Sequence, residues 1–238
     1  MIVDRFKLIK GAVIFLAALF VISVLLGYTL VSSISKALVF PVFLYLYLTE
    51  PGIKSKSFIG FLLVFSLSGI YAVVMAMCSI LYSYLTSMPY IIAYICLLVY
   101  MIKAFSFRQL VKRFKYYLLV LLVFNAYVIF TLNQMILEDE SLKINTLEFF
   151  VEGVYNLCVL LVLSFSLLNY LYHDTRTGFL LFLASVCIVF SEMVQVAYIF
   201  ISADYILNVT YSLLLIIGFY FIYLYIESKT NNHCSVRF

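Results

Sequence analysis

Again and again along this chain, about 20 consecutive residues pass with almost no charge. "GAVIFLAALFVISVLLGYTLV" (11–31), "FIGFLLVFSLSGIYAVVMAMCSILY" (58–82) and "LLFLASVCIVFSEMVQVAYIF" (180–200) are three examples. Runs of this length admit few folds. In hydrocarbon no water satisfies the backbone N–H and C=O groups, so each crossing segment must bond to itself as a helix or to neighbours in a closed barrel. Barrel strands are about half as long and alternate apolar with polar residues. These runs do neither, so the chain reads as all-α, a polytopic bundle of transmembrane helices. With 66% hydrophobic and 11% charged residues, a soluble domain could not cover its own core.

Eight segments are expected, at roughly 11–31, 34–48, 58–82, 88–106, 116–137, 148–172, 178–201 and 206–226. They make up a single integral-membrane domain over 1–238. The second is short and contains Pro41, which suits a kinked or partly re-entrant helix. "MIVDRFKLIK" before the first run resembles the charged start of a signal peptide. The apolar stretch that follows exceeds a typical h-region, and the expectation is a retained first helix.

The distribution of cations sets the orientation. With the N-terminus in the cytoplasm, thirteen of the fifteen Lys and Arg fall on that side, and only Lys36 and Lys143 on the other. The opposite side carries the acidic loop Glu138–Glu140 and Asp204. An even number of crossings with both termini cytoplasmic preserves this division. The basic segment 103–115 reads as the topology determinant, with attraction of anionic headgroups as the alternative. The location expected is the bacterial inner membrane.

Against this background the polar intrusions stand out. Glu192 lies within an apolar run, with Ser185 and Gln195 on its helical face, seven and three residues away. A carboxylate facing lipid is costly, so that face should turn toward the bundle or a wet cavity. Two readings stand, a functional acid or a hydrogen-bonding group that joins helices. Lys36, at the outer start of the second segment, is the obvious counter-charge unless it extends to the interface and meets only water. Glu148, Glu152 and Asn156 follow at i, i+4 and i+8 on one face of the sixth segment, and Asn125 is central in the fifth. Together they suggest a polar cavity opening toward the outer half.

No CxxC pair or Cys/His spacing marks a metal site, and four cysteines lie in apolar runs where they pack as small side chains. No metal and no cofactor is expected. Phosphate-binding loops, nucleophile elbows and nucleic-acid-binding signatures are not found in the sequence.

Several stretches resemble the YhhN family of eight-helix membrane proteins, whose characterised members are lysoplasmalogenases. "SKALVFPVFL" (35–44) is similar to the family's Lys-Pro-Leu segment, with Lys36 and Leu38 kept and Ala37 in place of proline. "VYNLCVLLVLSFSLLNY" (154–170), containing Tyr155, resembles the sixth helix, and "TYSLLLIIG" (210–218), containing Tyr211, the eighth. The family's Ser-Asp pair in helix seven has Ser191-Glu192 as its counterpart. The third helix departs, with Gly69-Ile70 where the family has Gly-Asp, and Leu97 stands where a His is usual in the fourth.

The resemblance implies hydrolysis of a lysophospholipid vinyl ether. The vinyl carbon is protonated and water adds to the resulting oxocarbenium ion, which calls for an acid and a group to guide water. On this reading Glu192 is the acid, Lys36 holds a headgroup phosphate or orients the acid, and Glu152 assists. Ser191, Gln195, Asn156, Tyr155, Asn125 and Tyr211 would bind substrate. The alternatives are a non-catalytic relative that binds a lipid or a protein partner in the same cavity, and a small-solute transporter. Membrane lipids, a lysophospholipid among them, are the partners expected.

Overall fold

The structure is a computed structural model that describes residues 2–49, 54–77, 83–103, 107–137, 147–201 and 204–235. Eight helices account for nearly all of them: α1 Ile2–Leu25, α2 Thr29–Thr49, α3 Lys56–Met77, α4 Ser83–Ile102, α5 Phe107–Leu137, α6 Leu147–His173, α7 Arg176–Phe200 and α8 Tyr205–Ser235. Six are long and apolar enough to cross a membrane, and α1 and α4 contain shorter apolar helices, Gly11–Leu25 and Thr86–Ile102. The protein is a multi-pass helical membrane protein. The expected acidic loop Glu138–Glu140 and Lys143 lie outside the described residues.

Several boundaries differ from the sequence reading. The first turn falls at Leu26–Tyr28 rather than at "SSISK". Tyr28 N–H donates to Ser23 O at 2.8 Å and Gly27 N–H to Val24 O at 3.1 Å, while Gly27 takes a φ of +75°. That is the left-handed helix stop that glycine favours, because it has no Cβ to strike the following carbonyl. "SSISK" is therefore helical, and α2 runs for 21 residues straight through Pro41 as one continuous helix with no re-entrant loop. The helix α5 likewise begins at Phe107 within the basic segment, and its only break is a non-helical Phe114 (φ −119°, ψ 28°). Lysines and arginines are good helix formers, so charge ended the membrane span there without ending the helix.

The packing of the helices has a simple order. The helix α1 packs on α2, α2 on α3, α3 on α4, α4 on α6, α6 on α7, α7 on α8, and α8 back on α1. Seven helices thus close a ring, and α5 lies outside it against α6 and α7. Close approaches depend on small residues, as is usual where lipid provides no hydrophobic drive between helices. A Cβ on Gly218 of α8 would come within 2.9 Å of Ile188 Cγ1 on α7, and one on Gly69 of α3 within 3.2 Å of Ala37 Cα on α2. The centre of the ring is aromatic. Phe40 stacks on Phe65 with centroids 3.9 Å apart and meets Phe219 edge-on at 4.9 Å. This plug of buried rings separates the two ends of the bundle.

Candidate functional site

At one end of the ring, above the aromatic plug, is a cavity of about 390 Å³. The starts of α2, α4, α6 and α8 and the later parts of α1, α3 and α7 form its wall, so every ring helix contributes and, among the described residues, α5 does not. The chain reverses direction from helix to helix, which brings residues distant in sequence to the same depth.

Lys36, Glu152, Tyr155, Glu192, Gln195 and Tyr211 all line this cavity. The Tyr155 hydroxyl donates to Glu192 Oε2 at 2.7 Å. The Ser87 hydroxyl donates to Glu152 Oε1 at 2.6 Å. Each carboxyl group is therefore oriented by a hydroxyl from a neighbouring helix, and such a bond strengthens when the carboxyl is ionised. Among the described residues Lys36 and Glu192 form no direct ion pair. They lie within electrostatic reach of each other, with the Lys36 ammonium 5.8 Å from the centre of the Tyr211 ring. One cation, two acids and several hydroxyls thus face a single space.

The other residues singled out from the sequence occupy different positions. The Ser191 hydroxyl donates to the Tyr211 carbonyl at 2.8 Å and lies outside the cavity wall, pinning α7 to α8 next to Glu192. Asn125 Nδ2 donates to Ser164 Oγ at 2.8 Å, joining α5 to α6. Asn156, one turn deeper than Glu152, is buried and its Nδ2 has no hydrogen-bond partner among the described residues. Ser185 bonds back to the Leu181 carbonyl at 2.9 Å, below the cavity. The side chain of Glu148 lies outside the described residues.

The apolar substitutions also find their places. Ile70 is 45% exposed on the outer face of α3, while Phe65, Gly69, Ala72 and Val73 form that helix's share of the wall. A carboxylate at position 70 would point away from the cavity. Leu97 is buried lower in the bundle, beside a small apolar void shared with Tyr94 and Phe58.

Sequence reasoning missed Thr86, Ser87 and Tyr90, which line the cavity from α4. The expected fourth segment starts at 88, which leaves 83–87 in a connection, yet α4 begins at Ser83 and includes Pro89. The spacing i, i+1, i+4 of these three polar groups was the available signal.

No protein-family model matches this chain, and neither a curated protein nor a solved structure does.

Proposed function

We propose that this is a divergent YhhN-type membrane hydrolase that cleaves the vinyl ether bond of a lysophospholipid. The observation that supports the reading best is that Glu192, Glu152 and Lys36 open onto one cavity. The family's acid in the third helix has no counterpart here, and Glu152 supplies a second carboxyl from α6 instead.

In the proposed reaction Glu192, in its acid form and held by Tyr155, delivers its proton to the outer vinyl carbon. The adjacent carbon becomes an oxocarbenium ion. Glu152 takes a proton from a water as its oxygen bonds to that carbon, and the resulting hemiacetal collapses to a fatty aldehyde and the free glycerol hydroxyl. Lys36 meets the headgroup phosphate as a point charge. A volume of about 390 Å³ falls within the range of small-molecule pockets and suits a polar headgroup with the first atoms of one chain. The same proposal sets the Lys- and Arg-rich end in the cytoplasm of a bacterial cell, with the cavity toward the outer half of the inner membrane.

The test is aldehyde release from lysoplasmalogen by purified protein, beside Glu192→Gln and Glu152→Gln variants. Release that is lost in Glu192→Gln and reduced in Glu152→Gln is expected. A well-folded wild-type protein that binds the lipid and releases no aldehyde would replace catalysis with lipid binding at the same cavity.

A further inference from the structure

The opposite end of the ring holds a second polar cluster, on the far side of the aromatic plug. Lys229, near the end of the membrane-spanning part of α8, is half-buried. Its ammonium donates to the Tyr100 hydroxyl at 3.2 Å and lies 5.3 and 5.7 Å from the ring centres of Tyr100 and Tyr47. Tyr100 is hydrogen-bonded in turn to Tyr225, and the Tyr47 hydroxyl accepts from the Ser55 N–H at 3.1 Å. Phe58 packs against all three tyrosines with centroid distances of 4.9 to 5.5 Å, so the phenols form one unit.

Two more lysines border it. Lys54 donates to the Leu48 carbonyl, next to Tyr47, and Lys103 reaches the Ser57 hydroxyl at 3.5 Å, next to Phe58. All three ammonium groups are held by neutral oxygens or rings, and among the described residues none of the three forms an ion pair. Glu227, the acid on the same stretch of α8, has interactions of its own. An ammonium has three donors, and Tyr100 occupies one of those on Lys229.

A half-buried ammonium held by neutral groups gains from an anion at hydrogen-bond distance, and clustered lysines at a membrane surface attract anionic headgroups. Tyrosines at helix ends mark headgroup depth, where the available anion is a phosphate. We propose that Lys229, Lys54 and Lys103 form a phosphate-binding site at this end of the ring, occupied by the headgroup of an anionic membrane phospholipid. Lys229 is the fixed centre, held by its tyrosines, and the two exposed lysines close over the phosphate. The site is separate from the cavity and does not depend on the reaction proposed there.

The full chain in neutral detergent is titrated with phosphatidylglycerol, phosphatidylcholine and inorganic phosphate, and bound species are counted by native mass spectrometry. Phosphatidylglycerol is expected to bind at least about tenfold more tightly than phosphatidylcholine, with Lys54→Gln and Lys103→Gln each weakening it roughly fivefold. Lys229→Gln should lose binding and Lys229→Arg keep it. If Lys229→Gln fails to fold, the two exposed lysines carry the test. Lys112→Gln and Arg113→Gln, on the exposed basic stretch of α5, should leave affinity unchanged. Equal binding of the two lipids, or an equal loss in the α5 variants, would overturn the site. Inorganic phosphate that competes at the same lysines would uphold the phosphate chemistry and overturn the lipid as its source.

Discussion

Tyr155 of α6 donates its hydroxyl hydrogen to Glu192 of α7 at 2.7 Å, inside a cavity that every ring helix lines. The bond holds the carboxyl to one wall and leaves its other oxygen available. Tyr94 supports the arrangement from α4, with its ring set edge-on to Tyr155 at 5.9 Å. An isolated carboxyl in an apolar helix is thereby made part of a rigid corner between three helices.

Removing the bond should slow turnover without preventing binding. Tyr155→Phe keeps the ring contact with Tyr94 and deletes only the donor. As Glu192 gives up its proton the bond becomes one to a charged group, worth about 1.5–3 kcal/mol, so kcat for aldehyde release should fall roughly ten- to a hundredfold with KM little changed. Steady-state kinetics in detergent micelles checks this. An unchanged kcat would remove Tyr155 from the proposed mechanism.

Lys36 should show the opposite split. In the proposed reaction its ammonium holds the headgroup phosphate, and among the described residues it forms no direct ion pair with Glu192. Lys36→Gln should raise KM about tenfold or more and lower kcat less. A kcat effect larger than the KM effect would mean that Lys36 serves the acid rather than the headgroup.

Asn125 separates a structural bond from a substrate contact. Its partner is Ser164, and among the described residues α5 lies outside the cavity wall. Hydrogen bonds between membrane helices average about 0.6 kcal/mol, so Asn125→Leu should lower the thermal midpoint by a few degrees at most and leave activity per folded molecule unchanged. A specific loss of activity would bring α5 into the site.

Gly218 tests the close packing of α8 on α7. A side chain there would strike Ile188, whose helix also carries Glu192. Gly218→Leu should destabilise the bundle by about 1–3 kcal/mol through overpacking, seen as a lower melting temperature in detergent. Gly11, with nothing within 4 Å of an added Cβ, is the control.

Much of this protein was legible in its residues. Long apolar runs specify helices by themselves, because each segment satisfies its backbone internally and needs no partner to do so. The same local logic marked Glu192, Lys36 and Glu152, since a charge in such a run is conspicuous wherever the helix later packs. It could not tell which way a helix turns. Lipid is as apolar as a protein core, so a membrane helix carries little difference between its buried and exposed faces. For that reason Asn125 and Asn156 were expected in the cavity beside Glu152, Ile70 looked like a gap in the site, and Ser87 passed as part of a connection. Closure of seven helices into a ring, with α5 left outside, assigned each of them to its side, because facing is set by contacts between segments far apart in the chain.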